Sequence, residues 1–142
     1  MTDIVARRGS AGLWPENSAK AFRGTLALGV DQVEFDVQLS ADGVPMVFHD
    51  ETLDRVTDGT GPPGARTRDE LRRLTLFRDG GRIPLLDEVI DILGRGSALL
   101  RCEIKPGRGL LPYPELIDMT VSRIEAVPTG SGAASRTPPA LG

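Results

Sequence analysis

The sequence predicts a single α/β domain built around a mainly parallel sheet. Strand and helix signals alternate along most of the chain, an order typical of parallel sheets covered by helices. The length of 142 residues allows one ordinary domain. The hydrophobic share of 39% can supply a packed core and excludes a fully disordered chain. The 17 glycines and 11 prolines predict many turns between short elements.

The chain opens with a predicted strand and a predicted helix. Ile4 to Ala6 is a short apolar run that predicts a strand. Pro15-Glu16-Asn17 supplies a helix start with Asn17 as the N-cap, and Gly29 is placed to end the helix. The apolar face of this helix comprises Ala19, Phe22, Leu26 and Leu28.

The next two predicted strands are joined by a short turn. Gln32 to Leu39 alternates apolar and polar residues, which predicts a strand with two different faces. Asp42-Gly43 is a turn signal, and Val44 to Phe48 predicts the third strand. The turn favours a hairpin, although the third strand also suits a parallel position in the sheet.

Two short helices and a fourth strand are predicted after a long loop. Asp50 to Gly64 is rich in Gly, Asp, Thr and Pro, which indicates a loop. Thr67 and Glu70 have the spacing of a capping box, so a short helix is predicted there. Asp87 to Leu93 predicts another helix, and Leu99 to Lys105 predicts the fourth strand.

The domain is predicted to cover residues 1–126 and to end in a helix from Tyr113 to Ala126, with Pro114 in its first turn. The composition then changes, because 13 of the 16 residues in 127–142 are Gly, Ala, Ser, Thr or Pro. Such a segment buries too little apolar surface to offset its chain entropy, so a disordered tail is predicted.

Three acidic side chains give the strongest functional signal. Glu34 and Asp36 share the polar face of the second strand, and Glu103 lies on the polar face of the fourth. Two amphipathic strands with one wet face are the simpler interpretation. Both faces of a parallel sheet are normally covered, however, and covered carboxylates need a cation or a proton. The other interpretation is therefore one hard cation, Mg²⁺ or Ca²⁺, held by all three residues.

Four basic side chains follow or end predicted strands and are open to two interpretations each. His49 ends the third strand beside a carboxylate, which suits proton transfer near neutral pH but also fits a surface histidine. Lys105 suits a phosphate contact or a solvated charge. Arg7 and Arg8 suit a phosphate cradle or ordinary loop cations.

Composition excludes several classes of function. The formal charge of −3, without a basic stripe, argues against a nucleic-acid surface. The single cysteine, Cys102, excludes an internal disulfide and a cysteine-based zinc site, and the single histidine, His49, excludes a histidine-rich metal site. The sequence contains neither a membrane-length apolar run nor a secretory signal, so a cytoplasmic protein without membrane insertion is expected.

The ordered set of motifs resembles the glycerophosphodiester phosphodiesterase family, whose fold is a TIM barrel. The similarity covers about residues 3 to 125 and is far more specific as a series than any one motif. In chain order the series is Arg8-Gly9, Pro15-Glu16-Asn17, Glu34-Phe35-Asp36, His49-Asp50 with Leu53 and Arg55, Gly59-Thr60-Gly61, Ile83-Pro84-Leu85 and Glu103-Ile104-Lys105.

The resemblance implies a metal-dependent phosphodiesterase of lipid and glycerol metabolism that splits a small glycerophosphodiester into an alcohol and glycerol 3-phosphate. Carried over by position, the metal ligands would be Glu34, Asp36 and Glu103, with Mg²⁺ or Ca²⁺ as cofactor. Arg8 and Lys105 would bind the phosphate. His49 would be one of two proton-transfer residues, and the substrate's own glycerol hydroxyl would attack phosphorus.

Two departures from the family pattern lead to alternative interpretations of this chain. Arg7 stands where the family has its first catalytic histidine, and a guanidinium cannot act as a base. Arg7 has a second candidate role as an ion-pair partner of Glu34 or Glu103. About four parallel strands are predicted, which is the first half of a barrel. A truncated or degenerate relative with impaired catalysis is therefore the alternative, and unpaired strand edges would suit a homodimer.

A third hypothesis is a small α/β binding module whose agreement with these motifs is accidental. In that case Glu34 and Asp36 would lie more than about 10 Å from Glu103, too far apart to share one cation.

Overall fold

A five-stranded sheet with two of the helices packed on one side forms the framework of the protein. The computed structural model describes residues 2–105, together with residues 118, 120, 122 and 134–136. The strands are β1 (Val5–Arg7), β2 (Gln32–Leu39), β3 (Pro45–Val47), β4 (Leu99–Ile104) and β5 (Ala134–Arg136), and the helices are α1 (Ala19–Leu28), α2 (Arg68–Arg72) and α3 (Leu86–Leu93).

The sheet is mainly parallel, as predicted. Strands β1, β2, β4 and β5 lie side by side in that order, and each neighbouring pair is parallel. Strand β3 pairs antiparallel with the C-terminal part of β2, so the turn at Asp42-Gly43 makes a hairpin. The four parallel strands are therefore β1, β2, β4 and β5, whereas β3 is antiparallel.

Strand β5 lies inside the segment 127–142 that the sequence predicts to be disordered. In the structure the three residues Ala134–Arg136 pair with Leu100–Cys102 of β4. Pairing along a strand edge uses backbone groups, so a segment without apolar periodicity can still add a strand. The other residues of this segment lie outside the described part of the chain.

The two faces of β2 differ as the alternating pattern predicts. Val33, Phe35 and Val37 are fully buried in the main core, between the sheet and helices α1 and α3. The ring of Phe35 meets the ring of Phe22 edge to face, with 6.0 Å between ring centroids. This packing fixes which way β2 faces and therefore directs its polar residues to the opposite side.

The start of α1 corrects one sequence prediction. Ser18, not Asn17, caps the helix, because its hydroxyl oxygen accepts the backbone N–H of Ala21 at 3.0 Å. Asn17 has a left-handed backbone with φ of 52° and a buried side chain. The predicted end of α1 is confirmed, since Gly29 adopts φ of 66°.

The remaining helices agree with the sequence where they are described. Thr67 caps α2 by accepting the backbone N–H of Glu70, as the capping-box spacing predicts. The predicted helix over Tyr113 to Ala126 falls largely outside the described residues, although residues 118, 120 and 122 are helical. None of the helices in the described part of the chain combines the length and apolar character needed to cross a bilayer.

Candidate functional site

Three carboxylates converge on the polar face of the parallel sheet. Asp36 of β2 and Glu103 of β4 are direct partners in the strand register, and Glu34 lies two residues before Asp36. One carboxylate oxygen from each residue lies within 4.8 Å of the others. We call Glu34, Asp36 and Glu103 the carboxylate cluster. This proximity removes the basis of the binding-module hypothesis, which required Glu103 to be more than about 10 Å away.

The carboxylate cluster carries more negative charge than its neighbours neutralise. Burial, reinforced by the charge of Asp36, raises the pKa of Glu34 to about 7. Burial also opposes ionisation of Glu103, but the hydrogen bond and charge of Lys105 outweigh it and lower the pKa of Glu103. The unfavourable free energy of burying three carboxylates close together therefore shows as the raised pKa of Glu34.

Asp36 lies at the centre of the cluster and has one oxygen without a hydrogen-bond donor. Its side chain is 1% exposed. Oδ2 accepts a hydrogen bond of 3.0 Å from Asn17 Nδ2. Oδ1 is buried and has no hydrogen-bond partner, and Lys105 Nζ lies 3.6 Å from it. A buried carboxylate oxygen beside two further carboxylates fits a hard divalent cation, which prefers several oxygen ligands.

The loop after β1 brings the backbone of Arg8 to the cluster. Arg8 has a left-handed backbone, and its N–H donates to Glu34 Oε2 at 3.2 Å. Gly9 follows with φ of 70°, and a Cβ there would lie 3.1 Å from both Ala21 and the Phe22 ring. The glycine therefore allows the loop to pack closely on α1 while Arg8 faces Glu34.

A second group of side chains lies beside the carboxylate cluster. The acidic and imidazole groups of Glu16, His49 and Asp50 also have ligand atoms within 4.8 Å of one another. Here, however, arginines are interposed: Arg55 contacts both Asp50 and Glu16, and Arg8 contacts both His49 and Glu16. We call these five residues the arginine-bridged ring.

Contacts within the arginine-bridged ring are short except that between Arg8 and Glu16, at 3.4 Å. His49 Nδ1 lies 2.7 Å from Asp50 Oδ1, and His49 Nε2 lies 2.8 Å from Arg8 Nη2. Arg55 donates to Asp50 at 2.7 and 3.0 Å and approaches Glu16 Oε1 at 2.7 Å. The hydrogen bonds from Arg55, despite partial burial, lower the pKa of Asp50 to about 2.

The structure brings most of the predicted site residues together. Arg8 links the two groups, because its Nε lies 3.8 Å from Asp36 Oδ2 while its guanidinium contacts His49. Lys105 donates to Glu103 at 2.9 Å. Arg7 differs: its side chain is exposed, and it forms no ion pair with Glu34 or Glu103 in the described part of the chain.

Several contributors, Glu16 among them, were not predicted from the sequence as site residues. Asn17 was expected to cap a helix, yet it donates to Asp36. Gln38 donates to the carbonyl oxygens of Phe48 and Asp50, on both sides of His49. The signal for Gln38 was present, because it continues the polar face of Glu34 and Asp36. Arg55 appeared only as a motif member, and its contacts cross a loop that has no periodicity.

Comparisons with known proteins identify the family. The profile of the Glycerophosphoryl diester phosphodiesterase family matches residues 8–129. The chain is 38% identical over 130 residues to a glycerophosphodiester phosphodiesterase of Caldanaerobacter subterraneus, covering 87% of this chain and 53% of that protein. The chain belongs to this family.

Solved structures agree with this assignment and define the fold. A phosphodiesterase of Oleispira antarctica, solved in complex with the product sn-glycerol-3-phosphate, is 32% identical with a TM-score of 0.84, covering 96% of this chain and 57% of that one. A glycerophosphodiester phosphodiesterase of Agrobacterium tumefaciens is 35% identical with a TM-score of 0.77, over 96% and 58%. The predicted partial TIM-barrel fold is confirmed, and the chain spans about half the length of these relatives.

Proposed function

We propose that this chain takes part in the metal-dependent hydrolysis of glycerophosphodiesters to an alcohol and glycerol 3-phosphate. The observation that carries the proposal is the carboxylate cluster, whose oxygens from two neighbouring strands lie within 4.8 Å of one another. The family membership and the product bound to the Oleispira antarctica phosphodiesterase support a phosphodiester of glycerol as the substrate class.

Glu34, Asp36 and Glu103 would hold the cation, Mg²⁺ or Ca²⁺. A bound divalent cation would neutralise charge on the non-bridging phosphate oxygens and lower the pKa of a nearby hydroxyl. The fit rests on this chain's own atoms: the buried Asp36 Oδ1 lacks a donor, and the pKa of Glu34 is raised by burial and by Asp36. Both features favour a positive charge among the carboxylates.

Arg8 and Lys105 would bind the phosphate. Their charged groups approach opposite oxygens of Asp36, at 3.8 Å from Oδ2 and 3.6 Å from Oδ1. Lys105 also donates to Glu103, and Arg8 also contacts His49 and Glu16, but an ammonium has three N–H donors and a guanidinium five, so both cations retain donors for an anion placed over the cluster. A phosphodiester bound there would lie between two positive side chains.

His49 would transfer a proton at Nε2. Nδ1 faces Asp50 and Nε2 faces Arg8, so a phosphate that engages Arg8 would leave Nε2 next to the substrate. In the proposed reaction the glycerol hydroxyl attacks phosphorus, its proton passes to Nε2, and the bond to the leaving alcohol breaks, giving a cyclic phosphate that water then opens to glycerol 3-phosphate. The departing alkoxide needs a second proton donor, and Arg7 stands where the family has its other histidine.

The test compares two substitutions that flank Glu34. Arg7 and Arg101 are its register partners on β1 and β4, and both side chains are exposed. Arg7→His should increase release of glycerol 3-phosphate from glycerophosphocholine by roughly 10²- to 10⁴-fold, the usual contribution of one acid–base group. The assay follows product in the presence of Mg²⁺ or Ca²⁺.

Arg101→His is the matched control, because it places the same imidazole beside Glu34 from the other strand. It should leave the rate unchanged. Absence of product from Arg7→His with either cation would argue against the proposed hydrolysis. An equal increase in both variants would argue against a specific role for position 7.

A further inference from the structure

Two contacts of His49 determine which ring nitrogen carries the proton. Arg8 Nη2 lies 2.8 Å from Nε2, and a guanidinium has only donors, so Nε2 of the neutral ring must accept. The proton of the neutral imidazole is then on Nδ1, which donates to Asp50 Oδ1 at 2.7 Å. Arg8 and Asp50 therefore require the same tautomer of His49, the one in which Nδ1 carries the proton and Nε2 does not.

Asp50 is in turn held by Arg55 through two hydrogen bonds. Arg55 Nε lies 2.7 Å from Asp50 Oδ2, and Nη2 lies 3.0 Å from Oδ1. The same Nη2 lies 2.7 Å from Glu16 Oε1, in the loop before α1. A planar guanidinium matches two carboxylate oxygens in one orientation only, so this contact fixes the rotation of the Asp50 side chain.

The backbone at His49 is fixed independently of Arg55. Gln38 Nε2, from β2, donates to the carbonyl oxygens of Phe48 at 3.0 Å and Asp50 at 2.8 Å. The Arg55 side chain itself is 53% exposed, so little packing depends on it. Removing the Arg55 guanidinium should therefore free the Asp50 carboxylate while the chain path through His49 is retained.

We propose that Arg55 is a positioning residue for His49: by bridging Asp50 to Glu16 it keeps the imidazole in the tautomer whose Nε2 can accept a proton. An isolated exposed ion pair contributes little to a fold. This one differs because its acceptor carboxylate is also the acceptor of the imidazole proton. The inference rests on the proposed function in one respect, namely that Nε2 is the atom that meets the substrate.

The tautomer can be measured directly, because His49 is the only histidine in the chain. Long-range ¹H–¹⁵N spectra of the uniformly labelled chain at about pH 8.5, above the ordinary titration range of histidine, report the protonated nitrogen. The wild type should show protonation at Nδ1. Arg55→Met should lower the ratio of the Nδ1–H to the Nε2–H form by about tenfold, the scale of one charge-assisted hydrogen bond.

Two further variants separate positioning from general effects. Arg55→Lys keeps the charge but cannot form the two-point contact, so it should give an intermediate ratio. Arg68→Met removes a pair with Asp69 in which both side chains are exposed, and it should give the wild-type ratio. If Arg55→Met loses its fold by circular dichroism, Glu16→Gln replaces it and should shift the ratio in the same direction.

A wild-type ratio in Arg55→Met and Glu16→Gln, or protonation of Nε2 in the wild type, would overturn the inference. Mg²⁺ and Ca²⁺ titration of the same samples tests the proposed function separately. Absence of cation binding together with the expected tautomer shift would count against the hydrolase proposal and leave the role of Arg55 intact.

Discussion

The carboxylate cluster and the arginine-bridged ring are two neighbouring groups with similarly close ligand atoms and a different charge balance. Each brings three potential ligand side chains within 4.8 Å. In the ring, Arg55 makes contacts of 2.7 Å with both Glu16 and Asp50. In the cluster, Lys105 contacts Glu103 at 2.9 Å, but no cation approaches Asp36 closer than 3.6 Å. Three acidic or imidazole side chains lying close together therefore do not by themselves define a metal site. Whether such a group suits a cation also depends on how much of its negative charge the protein's own basic side chains already neutralise.

The effect of this difference on ionisation is opposite in the two groups. The pKa of Glu34 is raised to about 7 by burial and by Asp36, whereas the hydrogen bonds from Arg55 lower the pKa of Asp50 to about 2. Glu34 gains from an added cation, while Asp50 is already stabilised as the anion. The cluster suits a cation, and the ring suits the orientation of an imidazole.

The largest expected difference between the two groups is in cation affinity. Asp36→Asn preserves the shape of the side chain and removes one anionic ligand, so Mg²⁺ or Ca²⁺ affinity should fall by roughly 100-fold or more. Asp50→Asn removes a carboxylate that Arg55 already satisfies, and it should change the affinity by less than about twofold. Isothermal titration calorimetry on both variants measures these constants. Equal losses of cation affinity in Asp36→Asn and Asp50→Asn would contradict the assignment of the cation to the carboxylate cluster.

The faces of the sheet were predictable from the sequence because strand alternation is a local property. The pattern from Gln32 to Leu39 assigned Val33, Phe35 and Val37 to the core, and the structure confirms this assignment. The same alternation in β4 placed Glu103 on the side of Asp36. The strand register then makes these two residues direct neighbours, as a parallel pairing with aligned polar faces requires.

The contacts that complete the site could not be predicted, because they depend on backbone conformations without a local signature. Asn17 and Ser18 are both good helix caps, and only the left-handed φ of Asn17 turns its side chain to Asp36. Arg55 reaches Glu16 from a loop that has no apolar period. The exposure of the Arg7 side chain could not be predicted either, because it depends on tertiary packing.

A smaller effect is expected on the pH dependence of stability. The folded-state pKa of Glu34, about 7, lies above its ordinary value of 4.5, so its ionisation penalises the fold. The penalty is absent below pH 4.5, grows between pH 4.5 and 7 and is complete above pH 7. Without divalent cations, Glu34→Gln should raise the free energy of unfolding by about 1–2 kcal/mol at pH 8, allowing for solvent screening. The gain should vanish near pH 4.5.

The matched control is Glu103→Gln, because the pKa of Glu103 is lowered by Lys105 and its carboxylate therefore stabilises the fold above its usual pKa. This variant should lower the free energy of unfolding at pH 8, opposite in sign to Glu34→Gln. Urea unfolding measures both. Saturating Mg²⁺ should stabilise the wild type more than Glu34→Gln, since ligand binding to the folded state adds to stability. A gain from Glu34→Gln that is independent of pH would contradict the electrostatic cause.

The smallest expected effect is on the stability that the arginine-bridged ring contributes. The folded-state pKa of Asp50, about 2, lies below its ordinary value of 3.8, so the stabilisation is present above pH 3.8 and is lost as the pH falls to 2. Arg55→Met should lower the free energy of unfolding by about 0.5–1 kcal/mol at pH 6, because Arg55 is half exposed. At pH 2 the difference from wild type should disappear.

A urea unfolding series at pH 6, 3 and 2 measures this difference, with Arg68→Met as the baseline for an exposed ion pair. An equal loss at all three pH values would assign the effect of Arg55 to packing, and the different charge balance of the two groups would then have no counterpart in stability.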